Sequence, residues 1–238
     1  MLELKHVSVR FSPESRVQAV EDVSLVLPDG GKMALVGETG SGKSVLLLAI
    51  LRLLPEAAVC SGEILLHGEN LLQADRKRLC QIRGGEISYV PQGNGNSLNP
   101  LMTVGFQVGE PRMEHCGESE KQAVAAAVTL FRRLNLGREE ILAKAYPHSF
   151  SGGMRQRALV AMGMAADAGI VLADEPTKGL DEKRITLVAE AFHRLGDRSL
   201  LCVTHDLGFA EQIATTICVL YAGQQVEIGP AAAVLAHP

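Results

Sequence analysis

The chain has 238 residues, 47% of them hydrophobic and 21% charged, with a formal net charge of −4. That length allows one large domain or a core with a modest subdomain, and the mildly acidic balance leaves no basic footprint for nucleic acid. Five dispersed cysteines, Cys60, Cys80, Cys116, Cys202 and Cys218, lack both the spacing of a zinc site and the even count of a disulfide framework, so they read as reduced thiols.

Met1 to His6 shows no charged leader before an apolar run, so no targeting segment is expected. Residues 2–11 alternate apolar and polar, and the change of parity between Leu4 and Val7 predicts a bulge in an amphipathic strand. A second strand pattern, Val20 to Leu27, closes at the turn Pro28-Asp29-Gly30-Gly31. Met33 to Val36 predicts a third strand, and a helix is expected from Ser44 to about Leu54. The longest apolar stretch, Val45 to Leu54, is too short to span a bilayer, so membrane association is expected only through a partner. Ser61 to Gly68 reads as a strand ending in a turn, 75–83 as a short helix with the solvated basic run Arg76-Lys77-Arg78, and Ile87 to Val90 as a strand.

Gly93 to Pro100, rich in Gly, Asn and Ser, marks a loop or boundary. Helical sequence follows from about Val104 to Leu142. Apolar strand runs return at 169–173 and 199–204, as expected of parallel strands covered on both faces, alternating with helices over 154–166 and 182–195. The tail predicts a hairpin around Ala222-Gly223. The expected architecture is an α/β nucleotide-binding core with a helical insert between about 92 and 160.

Gly37-Glu38-Thr39-Gly40-Ser41-Gly42-Lys43-Ser44 lies between a strand pattern and a helix pattern, the context that a G-x-x-x-x-G-K-[ST] phosphate loop requires. Glycines let successive N–H groups turn inward onto phosphate oxygens, and the following helix adds its positive N-terminal dipole. Lys43 would reach the β- and γ-phosphates and the Ser44 hydroxyl would ligate Mg²⁺. Downstream, Ile170 to Ala173 ends in Asp174-Glu175, a carboxylate pair at the C-terminal edge of a buried strand, where ligands sit in parallel α/β sheets. Asp174 would hold Mg²⁺ through water and Glu175 would polarise an attacking water. Ser151-Gly152-Gly153 precedes a further helix and reads either as a cap and turn or as a second anion-binding device.

In order, the segments 37–44, Tyr89-Val90-Pro91-Gln92, 150–157, 170–177, Gly179-Leu180-Asp181 and Val203-Thr204-His205-Asp206 resemble the nucleotide-binding subunit of an ATP-binding cassette (ABC) transporter. The resemblance covers nearly the whole chain. It implies a single ABC ATPase domain: a RecA-like P-loop NTPase core with an antiparallel β subdomain (1–91 and 161–238) and a helical subdomain carrying the signature (92–160). It implies ATP and Mg²⁺ as cofactors and a head-to-tail pair of cassettes, identical or paralogous. Each ATP then lies between one phosphate loop and the other subunit's Ser151, Gly152 and Gly153, with Ser151 and Gly153 on the γ-phosphate. Gln92 would sense Mg²⁺ and water, His205 would touch the γ-phosphate, Asp181 would organise the seam, and Phe11 would stack on adenine or pack in the core. Two permease subunits and an extracytoplasmic binding protein are the further implied partners, with the chain peripheral on the cytoplasmic face of the membrane and no nucleic acid bound.

Met154 where the family usually has glutamine, Ser97-Leu98-Asn99-Pro100, and the ending Gly229-Pro230 through His237-Pro238 resemble the importers of dipeptides, oligopeptides and nickel. Phe150 replaces the usual leucine. Peptide importers commonly extend further with a cysteine cluster, so a chain stopping at Pro238 belongs either with shorter, nickel-type members or with a truncated form. Lys178 replaces a usually small residue before Gly179-Leu180-Asp181. A transporter of another substrate class, a soluble cassette ATPase of DNA repair or translation, and a P-loop kinase are the competing readings. Coiled-coil arms, zinc modules or a second cassette would favour the soluble ATPase, and an acceptor pocket the kinase.

Overall fold

The computed structural model describes residues 1–15, 17–93 and 97–236; the middle of the 93–100 loop and the closing His237-Pro238 lie outside these residues. Strands run over Leu2–Arg10 (β1), Val20–Leu27 (β2), Lys32–Val36 (β3), Val59–Leu66 (β4), Glu69–Asn70 (β5), Ile87–Val90 (β6), Ile170–Asp174 (β7), Ser199–Val203 (β8), Thr216–Tyr221 (β9) and Gln224–Pro230 (β10). Helices run over Lys43–Ile50 (α1), Arg76–Gly85 (α2), Val104–Cys116 (α3), Glu120–Arg133 (α4), Glu139–Ala143 (α5), Gly152–Ala165 (α6), Glu182–His193 (α7), Leu207–Ile213 (α8) and Ala231–Ala236 (α9). They group into two compact units, residues 1–82 with 197–238, and residues 83–196.

In the first unit the strand order is β5-β4-β1-β2-β10-β9-β3-β8. β1 pairs antiparallel with β2 and β4, and its register shifts between Leu4 and Val7 as the parity change predicts. His6, at φ 51°, is the residue that absorbs the shift. Leu2, Leu4, Val7 and Val9 consequently all remain buried. β3 lies parallel between β8 and β9, and β8 is buried at every position. Ala34, Val36, Ala210, Ile217, Ala231 and Val234 form one apolar cluster that seats α8 and α9 on these strands. The predicted hairpin is present, with Ala222 and Gly223 at φ 48° and 86° between β9 and β10.

Helix α1 stops at Ile50 rather than continuing to Leu54. Arg52 turns left-handed at φ 51°, the Arg52 N–H bonds the Ala49 carbonyl at 3.0 Å, and the Leu53 N–H bonds the Leu48 carbonyl at 2.8 Å. This is a Schellman closure, which normally uses glycine. The Arg52 guanidinium holds it by donating to the carbonyls of Leu72 (2.9 Å) and Ala74 (3.1 Å).

In the second unit β6 and β7 pair in parallel, Ile87 opposite Ile170. The predicted helical stretch resolves into α3, α4 and α5, interrupted where Gly117, Asn135, Gly137 and Arg138 take positive φ. α6 is buried on most of its surface, including Gln156 and Arg157. The Arg157 guanidinium donates to the carbonyls of Leu134 (2.8 Å) and Asn135 (2.6 Å), tying α6 to the end of α4. Burial first, and the Arg184 charge second, push its pKa down, and the carbonyls supply the compensating bonds. Among the described residues no helix is long and apolar enough to cross a membrane.

Candidate nucleotide site

The loop after β3 has the conformation that its residues suggest. Gly37, Gly40 and Gly42 take φ of 147°, 86° and 94°. Two of these glycines face a second constraint. A Cβ on Gly37 would lie 2.0 Å from the Leu220 carbonyl oxygen, and one on Gly42 would lie 2.3 Å from that of Ala19. Glu38, Thr39 and Gly40 form the exposed tip, while Ser41 and Lys43 are buried. The Lys43 ammonium folds over the loop, donating to the carbonyls of Gly37 and Glu38 at 2.7 Å each and to Ser41 Oγ at 3.2 Å. A cation is thus fixed across the mouth of a glycine loop at the start of α1, where Ser44 is half-buried in the first turn. That arrangement attracts phosphate.

His205 belongs to the same unit. It lines, with Gly37 and Glu38, a cavity of about 460 Å³ whose apolar wall includes Val219 and Val234. The Thr204 N–H bonds the Leu35 carbonyl at 3.1 Å, and Asp206 caps α8 through the Phe209 N–H at 3.0 Å, so both neighbours of His205 are anchored. Phe11, beyond the end of β1, is 51% exposed, which removes the core-packing explanation for it.

The second unit carries the remaining predicted residues. Asp174 ends β7 with 4% exposure, and Glu175 follows at 9% with φ 47°, a left-handed conformation that costs energy outside glycine. The Tyr89 hydroxyl donates to Asp174 Oδ2 at 3.4 Å; burial, then Asp174 itself, pushes the Tyr89 pKa up. Ser151 caps α6, its Oγ accepting from the Met154 N–H at 3.3 Å, and Gly152 and Gly153 form the first turn. Asp181 caps α7 through the Arg184 N–H at 3.0 Å and pairs with the Arg184 guanidinium. Gln92 is half-buried before Gly93.

Two contributors have no role of their own in the sequence reading. Tyr89 stands there only as a strand residue that opens the segment 89–92, and Gln156 only as a member of the segment 150–157. Gln156, 3% exposed, donates to the Pro176 carbonyl at 3.0 Å and to that of Glu175 at 3.5 Å, and a Cβ on Gly93 would overlap its Oε1. It therefore links α6, the end of β7 and the Gln92 loop. The available signal was a glutamine on an otherwise apolar helix face, which must find partners when buried.

The donor set proposed for a divalent cation is the Ser44 hydroxyl in one unit and the Asp174 carboxylate and Gln92 amide in the other. These are hard oxygens of the type Mg²⁺ accepts, alongside waters and substrate phosphates. The buried Asp174 at a strand end fits that chemistry.

Residues 20–178 match the family described as ABC transporter. A dipeptide transport ATP-binding protein of Lactococcus lactis is 38% identical over 247 residues, covering 100% of this chain and 70% of that protein. An oligopeptide transport ATP-binding protein of Bacillus subtilis is 38% identical over 235 residues, covering 96% of this chain and 66% of that protein. Among solved structures, the ATP-binding cassette MJ0796, a dimer in a post-hydrolysis state with ADP and Pi, superimposes with a TM-score of 0.87 at 27% identity, covering 97% of this chain and 99% of that one.

Proposed function

The chain belongs to the ABC transporter family, and on that premise we propose that it is the ATP-hydrolysing subunit of an importer, energising uptake through separate membrane subunits. The observation that carries the reading is the phosphate loop, with its positive-φ glycines and the Lys43 ammonium held across it. The dipeptide and oligopeptide relatives support peptides as the imported class. Nickel import rests on the motif resemblance alone.

In this mechanism the loop amides and Lys43 bind the β- and γ-phosphates, and Phe11 stacks on the adenine. Glu175, poised at the end of β7, accepts a proton from the attacking water. The water oxygen bonds to the γ-phosphorus as the bond to the β–γ bridging oxygen breaks, giving ADP and inorganic phosphate. Ser44, Asp174 and Gln92 would hold Mg²⁺, which would offset charge on the transferring phosphoryl group. His205 contacts the γ-phosphate from the same unit as the loop. Ser151, Gly152 and Gly153 complete the site of a second cassette, Asp181 borders the seam between the two, and ATP binding closes the pair. Two permease subunits and an external binding protein complete the assembly at the cytoplasmic face of the membrane.

Glu175→Gln tests the reading. The variant should lose ATP turnover and accumulate as an ATP-held dimer on size-exclusion chromatography. Undiminished hydrolysis, or a chain that stays monomeric with ATP, would overturn it.

A further inference from the structure

Tyr89 carries a contact that the mechanism above leaves unused. It lies on β6, opposite Leu172 of β7 in the parallel register. Side chains alternate across a sheet, so Tyr89, Leu172 and Asp174 share one face, with Asp174 the next residue on that face beyond the tyrosine's registered partner. Only an aromatic or long side chain reaches a diagonal neighbour across two strands. The phenolic hydroxyl does so, donating to Asp174 Oδ2 at 3.4 Å. The strand beneath the ring has little freedom. Val90 is fully buried, and Ser88 Oγ donates to the Ile170 carbonyl at 3.4 Å. α6 packs closely here: a Cβ on Gly163 would lie 2.3 Å from Val90 Cγ2 and 3.2 Å from the Tyr89 carbonyl oxygen. Pro91 keeps Val90 extended, so the path from Tyr89 to Gln92 is short and stiff.

We propose that Tyr89 is a positioning residue for the divalent cation: its hydroxyl fixes the orientation of the Asp174 carboxylate that would hold Mg²⁺. The inference rests on the nucleotide-site reading given above and deepens it by naming the group that aims the carboxylate. A carboxylate can turn about its Cβ–Cγ bond, and ordering it costs entropy when a metal binds. A donor on one oxygen settles that orientation beforehand, and removing such an outer partner lowers metal affinity roughly ten- to hundredfold. At 3.4 Å the bond is long for an O–H···O contact. That places its effect at the lower end of the range and gives it little weight in folding stability. Gln92 follows directly after β6 and Pro91, so the strand that carries Tyr89 also places the amide proposed for the same cation.

The test measures binding of a non-hydrolysable β,γ-imido ATP analogue to the chain by titration calorimetry, once with saturating Mg²⁺ and once with EDTA. The ratio of the two affinities is the contribution of the cation. Tyr89→Phe removes one oxygen and keeps the ring. It should shrink that ratio roughly tenfold, leave the affinity in EDTA unchanged and melt close to the parent. In an Asp174→Asn background, where the carboxylate is gone, Tyr89→Phe should change the ratio no further. An unchanged ratio in Tyr89→Phe would overturn the positioning role. So would a loss of the same size in the Asp174→Asn background, or a loss in EDTA equal to that in Mg²⁺, because the hydroxyl would then act on something other than this carboxylate. A parent that binds the analogue with no gain from Mg²⁺ overturns the positioning role and leaves the nucleotide site standing. A parent that binds no analogue overturns the nucleotide reading itself, and this inference with it.

Discussion

The Gln156 side-chain amide donates to the carbonyl of Pro176 across 3.0 Å, inside the second unit and almost fully buried. Through this bond the helix that opens with Ser151-Gly152-Gly153 is fastened to the backbone following Glu175. Gln156→Met keeps the volume but leaves buried carbonyls without their donor, at a cost of about 1–3 kcal/mol. Urea unfolding should show that loss, and kcat should fall further than ATP affinity. A variant with parental stability and kcat would show that the bond is dispensable.

The loop glycines differ in what constrains them. Gly40 and Gly42 share a left-handed φ, but only Gly42 has a carbonyl in the place of a Cβ. Gly40→Ala should cost the backbone term alone, about 1–2 kcal/mol. Gly42→Ala should add an overpacking penalty of roughly 1–3 kcal/mol and displace the segment around Ala19. Denaturation midpoints compare the two directly, and equal losses would contradict the close approach.

Cys218 on β9 is a buried thiol whose pKa is pushed from an ordinary 9.0 up to about 12 by burial. The unfolded chain ionises this group first, so the folded state binds more protons between those values and stability falls as pH rises. The contribution is complete below pH 9 and is lost toward pH 12, with a slope of up to about 1.4 kcal/mol per pH unit. Tyr89, also shifted upward, adds to the decline above its ordinary value of 10.0. Chemical denaturation from pH 8 to 11 should show a plateau and then a fall, and Cys218→Ala should make the fall shallower. Parallel curves for the two chains would contradict the assignment.

Much of the architecture was legible in local pattern. The Leu4–Val7 parity change located a real bulge, and the apolar runs at 169–173 and 199–204 located the fully buried strands Ile170–Asp174 and Ser199–Val203, because side-chain period follows directly from backbone geometry. The end of α1 was not legible, since Arg52 takes a position usually filled by glycine and is held there by carbonyls some twenty residues away. The continuous helical reading of 104–142 missed its interruptions for a similar reason. Asn135 and Arg138 carry weak turn signals, and the buried Arg157 bonds the carbonyls of Leu134 and Asn135.

By itself the sequence determined the phosphate loop, the carboxylate pair at the end of β7 and the capped start of α6, because each depends on residues adjacent in the chain. Glycine freedom, helix capping and strand-end placement are local physics. Only the tertiary structure decided that Gly42 must be glycine against Ala19, that His205 shares a cavity with Gly37, and that Gln156 holds Pro176. Those are relations between distant residues, set by close packing and by the need of every buried polar group for a partner, and no local pattern encodes them.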